Sequence, residues 1–426
     1  MAEMENKPAP RTDKGLMGVV NWFDDRFPLL ETWDYHMARY WAPKNFNFWY
    51  YFGVLSMVVL VIQLLTGIWL TMNYVPSGEG AFASVEYIMR DVEYGWLLRY
   101  LHSTGASAFF VVVYLHMFRG MMYGSYRKPR ELLWLIGMAI FAVLMAEGFF
   151  GYLLPWGNMS YWGAQVIVSL VGAIPVIGPD LMEWVRGDFL MSGITLNRFF
   201  ALHVVALPLV LVMLVFVHVV ALHHVGSNNP DGVEIKKNKD ANGIPVDGIP
   251  FHPYYTIGHD LPAIVLFLIF FCLVVFYAPE MGGYFLEKPN FEMANPLKTP
   301  EHIAPVWYYT PFYAMLRAAT YPLFGIPAKF WGLVVMAWAI ALPAVLPWLD
   351  RSPVKSIRYK GRISKFMLAT FVISFFVLGY LGTIPPSPFA TLLAQVLTAV
   401  YFAYFVLMPW YTRVEKTKPV PDRVTT

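Results

Sequence analysis

Cysteine and charged residues are scarce in this chain of 426 residues. Its single cysteine, Cys272, excludes an intrachain disulfide, a covalently attached c-type haem and an iron–sulfur cluster held by this chain alone. Charged residues make up 14% of the sequence and hydrophobic residues 58%. Because soluble domains usually carry about 25% charged residues, this composition indicates a protein that crosses a membrane many times.

Eight apolar segments are long enough to cross a bilayer, which takes about 20 helical residues. They are predicted near residues 48–74, 95–122, 131–155, 197–223, 260–279, 322–348, 363–383 and 388–411. The sequence therefore predicts an all-α polytopic membrane protein with eight transmembrane helices. Its predicted regions are an interfacial N-terminal segment (1–47), a four-helix bundle (48–225), a polar loop (226–259), four further helices (260–412) and a flexible tail (413–426).

Lysine and arginine are distributed unequally between the two sides that eight spans define. An even number of spans puts both termini on one side, and that side collects 23 of the 31 basic residues. Because cytoplasmic loops carry the excess of basic residues, we expect both termini to be cytoplasmic. The net charge of +3 is spread over these loops without a concentrated basic run, so no nucleic-acid partner is predicted.

Four histidines lie inside two of the apolar segments at nearly one spacing. His102 and His116 are 14 residues apart, whereas His203 and His218 are 15 apart. Fourteen helical residues fall about 40° short of four turns, so the first two project from nearly one face, about 21 Å apart. Pro208 lies between the second two, and a kink or one-residue bulge there would absorb the extra residue.

A lone histidine in a membrane helix can bond a neighbour or line a proton path. Two pairs at matched heights on two helices instead suit two iron porphyrins, each held by two axial imidazoles. In this interpretation His102 pairs with His203 near the outer surface, and His116 pairs with His218 near the inner surface.

Glycines repeat the 14-residue interval on the two neighbouring segments. They are Gly53, Gly67, Gly137 and Gly151. Because glycine lacks a Cβ atom, these positions would let the neighbouring helices approach a flat macrocycle closely. Arg99 and Arg119 are each three residues from a histidine, where their guanidinium groups would reach haem propionates.

Motifs spread over residues 20–412 resemble cytochrome b, the core subunit of the bacterial bc-type ubiquinol–cytochrome c oxidoreductases. They are RYLHSTGAS, GSYRKPRELLW, GYLLPWGNMSYWGAQV, GITLNRFFALH, NNPDG and PVWYYTPFYAMLRA. The resemblance implies two non-covalent b-type haems, an outer one of low potential and an inner one of high potential. It also implies ubiquinone as substrate, a Rieske-type iron–sulfur subunit and a c-type cytochrome as partners, a homodimeric complex, and a bacterial inner membrane.

The resemblance further implies a Q cycle that translocates protons. Quinol would be oxidised at an outer site lined by Tyr152, Tyr308 and Tyr313, with one electron leaving to the iron–sulfur partner. The other electron would cross both haems and reduce quinone at an inner site formed by His223 and Asp260.

The outer site departs from the pattern of many relatives, because Val306 stands in the PVWY motif where they have glutamate. Valine cannot accept a proton, so we predict that Glu287 takes over this role, with Glu301 as the second candidate. The remaining histidines His36, His252 and His302 are interpreted as loop or surface residues.

Two other functions stay open at this point. A dihaem membrane anchor of a quinone-linked dehydrogenase would also need four histidines, although it usually has only four or five spans. A transporter could use buried histidines for proton coupling.

Overall fold

Eight helices in the computed structural model, which describes residues 14–425, are long and apolar enough to span a membrane. In chain order they are α1 (Phe48–Thr71), α2 (Gly95–Tyr123), α3 (Glu131–Leu153), α4 (Gly193–Val225), α5 (Phe251–Tyr277), α6 (Ala328–Leu349), α7 (Arg362–Thr383) and α8 (Pro388–Val406). The prediction of an all-α polytopic protein with eight spans is confirmed. Residues 1–13 of the predicted N-terminal segment lie outside the described residues.

Three helices begin four or more residues away from the predicted position, each for a local reason. α4 begins at Gly193 because the Ser192 side chain accepts a hydrogen bond from the Ile194 amide as an N-cap. α5 extends back to Phe251 because a π-helical segment, interrupted by a non-helical kink at His252, precedes the α-helix that starts at Leu261. α6 begins only at Ala328, immediately after Pro327.

Short elements connect the spans on both sides. β1 (Trp41–Pro43) pairs antiparallel with β2 (Gly248–Pro250), with Ala42 opposite Ile249. The short helices before α1 and after α8 are Gly15–Asp24, Leu29–Trp33, Asp34–Ala38 and Met408–Val414. The loops at the other end carry the helices Ala81–Arg90, Asn158–Val171, Gly178–Arg186 and Thr310–Ala318.

The first four spans form the predicted bundle. α1 packs along α2, and α3 packs along α4, while α5 covers α1 and α2. The helix Thr310–Ala318 packs against α6, α7 and α8, and its buried Phe312 and Met315 belong to the same core cluster as Phe110 of α2. The outer loops are thereby attached to both halves of the chain.

The segment before α1 and residues 423–425 both contact the loop after α4, and we call this end of the molecule the inner end. Asp231 of that loop accepts hydrogen bonds from Asn45, Arg358 and Thr425. Arg423 donates to Asp247 at 2.8 Å. Residues 423–425 thus contact acidic side chains of a distant loop, and the flexibility of the tail stays a prediction.

Candidate functional site

The four membrane histidines form two pairs between α2 and α4. The ring centroids of His102 and His203 are 6.2 Å apart, and those of His116 and His218 are 6.4 Å apart. A histidine nitrogen that binds a metal ion lies about 2 Å from it. Each pair is therefore spaced to hold one metal atom between two imidazoles, and the structure brings together the residues that the sequence paired.

A π-helical turn sets the register of the histidines on α4. This helix has π geometry over Leu202–Ala206, shortly before Pro208. Because a π turn holds more residues than an α turn, the 15-residue interval from His203 to His218 still presents both side chains to α2. The predicted bulge is present, and it lies on the N-terminal side of the proline.

Each of these histidines faces a glycine on the helix packed beside its own. The pairs are Gly53 with His116, Gly67 with His102, Gly137 with His218 and Gly151 with His203. At the first three glycines an added Cβ atom would lie 3.2–3.3 Å from Cε1 of the ring, and at Gly151 it would come within 3.0 Å of three ring atoms. The glycines thus make room for the imidazoles themselves, whereas the sequence predicted room beside a macrocycle.

Hydrogen bonds determine which nitrogen of each outer imidazole carries the proton. The Thr66 hydroxyl donates to the Ile62 carbonyl oxygen at 2.6 Å and lies 2.9 Å from Nδ1 of His102. Nδ1 of His203 lies 3.0 Å from both the carbonyl oxygen and the carboxylate Oε1 of Glu147. Since these oxygens act as acceptors, both Nδ1 atoms are donors and both Nε2 atoms keep a free lone pair for a metal.

The two predicted propionate-binding arginines lie at the two histidine levels. Arg99 lines the same cavity as His102. Arg119 lies 3.5 Å from Nδ1 of His116 and 4.7 Å from the centre of the Tyr50 ring, and its buried Nε has no acceptor among the described residues. A buried guanidinium donor without an acceptor fits an anionic group such as a propionate. The residues present therefore fit two haems with bis-histidine ligation.

A cavity of about 260 Å³ lies between the outer histidine pair and the loops at that end. His102 and His203 line one part of it, and Tyr152, Val306 and Tyr308 line another. Most of the remaining lining side chains are apolar, while neither inner histidine takes part. The outer pair thus shares a cavity with three of the residues expected around a quinol.

Glu287 contacts this cavity through Tyr152. The Tyr152 hydroxyl donates to Oε2 of Glu287 at 2.9 Å, and Asn290 donates to both groups at 2.9 and 3.3 Å. Burial raises the pKa of the Glu287 carboxyl to about 7, although the bonds from Tyr152 and Asn290 act to lower it. A carboxyl group with this pKa can exchange a proton near neutral pH.

Two other residues predicted at the outer site are not among those that line this cavity. Glu301 is exposed to solvent. Tyr313 is not among the cavity-lining residues, because its hydroxyl donates to the Ile303 carbonyl oxygen at 3.2 Å and its ring stacks under Arg317. Val306 is buried, with 3% of its surface exposed. Of the two candidate acids, the geometry favours Glu287.

At the inner end, His223 is paired with a histidine that the sequence assigned to the surface. Nδ1 of His36 lies 2.9 Å from Nδ1 of His223, and Tyr40 stacks on the His223 ring at a centroid distance of 4.4 Å. The interpretation of His36 as a loop or surface residue is therefore wrong, because it lies in the π-helical segment Asp34–Ala38 and contacts His223 near the end of α4.

Asp260 is buried near the start of α5, with 9% of its surface exposed. Tyr40 and Phe251 are in edge contact at 5.5 Å, and Phe251 stacks on Tyr255 at 5.9 Å. These rings connect the surroundings of His223 to the first turns of α5. No hydrogen bond joins His223 to Asp260 within the described part of the chain, so their joint role stays a prediction.

Family comparisons agree with this arrangement. The family model described as Cytochrome b/b6/petB matches residues 37–226, which hold all four histidines, and the model described as Cytochrome b(C-terminal)/b6/petD matches residues 293–402. This chain belongs to the cytochrome b family.

Similar proteins cover nearly the whole cytochrome b chain. It is 63% identical to cytochrome b of Allochromatium vinosum, over 95% of this chain and 98% of the relative. It is 46% identical to cytochrome b of Rhodospirillum rubrum, over 96% of each chain. Among solved structures it resembles a chain of a hyperthermophilic respiratory Complex III, with a TM-score of 0.84, 38% identity and coverage of 93% and 99%.

Sequence reasoning missed one functional candidate, Glu147. It stands in the apolar stretch LMAEGFFGYLL of α3, four residues before Gly151. A carboxylate in the middle of a predicted span is itself a signal for a functional site, and here it contacts His203.

Proposed function

We propose that this chain is the electron-transfer subunit of a bc-type quinol–cytochrome c oxidoreductase. The observation that carries the proposal is the pairing of four histidines at two levels between α2 and α4. The cavity that joins the outer pair to Tyr152, which is bonded to Glu287, supports a quinol site beside the outer level.

His102 and His203 would hold the outer haem iron, and His116 and His218 the inner one. When bound, two b-type haems would carry single electrons between the two sides of the bilayer. Arg99 and Arg119 supply positive charge at the two levels, where they would neutralise propionates. The glycines opposite the histidines keep each imidazole free of steric obstruction.

Outer-site residues would bind quinol and remove its protons. Tyr152 and Tyr308 line the cavity, and the Glu287 carboxylate would accept a quinol proton that Val306 cannot accept. With its pKa near 7, Glu287 would release that proton to the outer solution when it turns outward. Ubiquinol fits this site by family resemblance, with Tyr313 as a further expected contact. The electrons would leave singly, the first to a Rieske-type partner.

Inner-site residues would bind quinone and deliver protons to it. An imidazole and a carboxylate on opposite sides of a quinone ring can bond its two oxygens. His223 and Asp260 are the residues assigned to this task, and the His36 imidazole beside His223 is a donor or acceptor within bonding distance. Protons released outside and consumed inside would move charge across the bilayer.

The complex would lie in a bacterial inner membrane, with the inner end in the cytoplasm. The 23 basic residues on the side of the termini support this orientation. A Rieske-type iron–sulfur subunit is required because the single cysteine of this chain cannot hold such a cluster. A c-type cytochrome subunit and a homodimeric assembly complete the proposed complex.

Redox spectroscopy on the complex purified from its native membrane tests the proposal. We expect two non-covalent b-type haems per chain with different midpoint potentials, and reduction of cytochrome c that depends on quinol. Two haems without quinol-dependent cytochrome c reduction would indicate a dehydrogenase anchor instead. A preparation without b-type absorption would contradict the haem assignment itself.

A further inference from the structure

Glu147 is a carboxylate inside the bundle that the mechanism above does not use. It lies on α3 in the wall of the outer cavity, with 16% of its side chain exposed. Its Oε1 lies 3.0 Å from Nδ1 of His203, while its buried Oε2 has no hydrogen-bond partner among the described residues. Ionisable groups at membrane depth are costly and usually serve a function.

The carboxylate contacts only one of the two histidine pairs. On the outer level, the Glu147 carboxylate lies 3.0 Å from Nδ1 of His203, and His102 donates to the Thr66 hydroxyl. On the inner level, the group next to His116 is the guanidinium of Arg119 at 3.5 Å, and none of the described carboxylates contacts either inner imidazole. The outer level therefore carries the Glu147 carboxylate in addition to the positive charge of Arg99, whereas at the inner level the guanidinium of Arg119 lies beside an imidazole.

We propose that Glu147 is a positioning residue that sets the potential of the outer haem through the negative charge of its carboxylate, 3.0 Å from Nδ1 of His203. This inference rests on the proposed haem ligation. A carboxylate beside the second nitrogen of a ligating imidazole makes that imidazole a more basic metal ligand. It therefore stabilises ferric iron, which carries one more positive charge than ferrous iron, and the reduction potential falls.

The opposite charge at the inner level acts in the opposite direction. Arg119 beside His116 disfavours the additional positive charge of ferric iron, which raises the potential there. An electron on the outer level is then favoured to move to the inner level. The family resemblance implies a low potential for the outer haem and a high potential for the inner one. Glu147 and Arg119 provide a physical reason for this difference.

The structure also separates this electrostatic role from simple support of the imidazole. The backbone carbonyl oxygen of Glu147 already accepts the His203 N–H at 3.0 Å. Replacing the carboxylate therefore leaves an acceptor that keeps the ring orientation and the tautomer. The Glu147 side chain adds a negative charge, and the reduction potential of the outer haem is the measurement that detects this charge.

The test is a redox titration of the b haems in complexes that carry Glu147→Gln, Glu147→Asp or Glu131→Gln. Glu147→Gln keeps size but removes charge, so we expect the outer haem to become at least tenfold easier to reduce, about 59 mV for one electron. The inner haem should keep its potential. Glu131→Gln removes the same charge at the opposite end of α3 and should leave both potentials unchanged.

Electron paramagnetic resonance of the oxidised complex gives a second readout. Glu147→Gln should shift the low-spin signal of the outer haem, because its axial imidazole is less basic, and Glu147→Asp should shift it less. If Glu147→Gln releases the outer haem, retention of that haem at low potential in Glu147→Asp would support the role of the carboxylate.

An outer potential in Glu147→Gln equal to that of the wild type would overturn the inference, as would loss of the outer haem in both Glu147 variants. A failure of the proposed function is distinguishable from these outcomes, because it would appear in the unmodified complex, as missing b-type signals or as missing quinol-dependent reduction of cytochrome c.

Discussion

The two ends of the four-helix bundle are held together in different ways. At the inner end, acidic side chains that are largely buried are paired with basic ones, in the pairs Asp231–Arg358, Glu234–Arg130, Asp247–Lys44 and Asp350–Lys360. At the outer end the acid–base pairs of the loops, Glu86–Arg90 and Glu292–Lys298, are largely exposed. The inner end is thus tied by charge, whereas the outer end encloses a cavity.

This difference shows what each end is built to do. A substrate site needs space, and the outer end keeps that space apolar, with few buried acids at its edge: Glu147 and Glu287. The inner end binds the loop after α4, the loop after α6 and the tail to one another. Changes in the outer cavity should therefore affect chemistry first, and changes in the ion pairs of the inner end should affect stability first.

The largest effects are expected from removing one histidine at the outer level or one at the inner level of the bundle. Replacing His102 by leucine removes an outer ligand, and replacing His116 by leucine removes an inner one. Each variant should lose one of two b haems per chain and all quinol-dependent turnover. Redox-difference spectra and pyridine haemochrome counts measure this. Retention of both haems in either variant would contradict the assignment of that histidine.

The next effect concerns the acid that replaces the missing glutamate. Glu287→Gln should slow quinol oxidation about 10²-fold, the lower range for loss of a general base. The reaction needs the ionised carboxylate, so wild-type rates should rise with pH through about 7, the pKa of Glu287. That rise should disappear in the variant, as steady-state kinetics at several pH values would show.

The matched control for this prediction is the exposed acid of the same loop region. Glu301→Gln removes the same charge from a residue that is exposed to solvent, and its rate and pH profile should be close to those of the wild type. Equal rates in the two variants would exclude Glu287 as the substitute acid.

Periodic features of single segments were predictable from the sequence. The eight spans follow from long apolar runs, and the histidine pairs follow from a spacing close to whole helical turns. Even the extra residue between His203 and His218 predicted a bulge, which exists at Leu202–Ala206. Apolar runs and residue spacings are properties of a single segment. The geometry of the helix then determines where each side chain of that segment lies.

Contacts between distant segments were not predictable. His36 and His223 are 187 residues apart in sequence, and nothing in either segment indicates the other. Nothing in the sequence of the tail, which was predicted to be flexible, indicates its contacts with Asp231 and Asp247. Glu147 had a visible signal, a carboxylate in an apolar span, but only the fold shows that it faces His203.

A smaller effect compares glycines at the two levels. Gly151→Ala would bring a Cβ within 3.0 Å of three atoms of the His203 ring, whereas Gly137→Ala would place it 3.2 Å from a single ring atom of His218. We expect Gly151→Ala to lose much of its outer haem and Gly137→Ala to show only a slight decrease in inner haem content. Haem content and redox spectra measure both.

A third glycine variant supplies the control. An added Cβ at Gly163 would lie 3.8 Å from Tyr152, an ordinary van der Waals distance, so Gly163→Ala should keep both haems. Equal haem content in the Gly151 and Gly163 variants would show that the outer imidazole does not need the glycine.

The smallest expected effect contrasts ion pairs of the two ends. Glu234 contacts both Arg130 and Lys355. Burial raises the pKa of its carboxyl, but these two cations outweigh burial and lower the pKa to about 2. Glu234→Gln leaves two cations without their partner and should cost about 2 kcal/mol of folding free energy, less than the 3–5 kcal/mol of a fully buried pair. Glu292→Gln, in an exposed outer pair, should cost below about 1 kcal/mol.

Thermal unfolding of the purified complex at several pH values measures this contrast. The folded-state pKa of Glu234 is below its ordinary value, so its stabilisation is complete above about pH 5 and is lost as the pH falls toward 2. The difference in melting temperature between the wild type and Glu234→Gln should therefore be constant near neutral pH and become smaller in acid. If Glu234→Gln is no more destabilising at neutral pH than Glu292→Gln, that result would contradict the prediction. It would mean that packing holds the inner end together and that its buried charges contribute little.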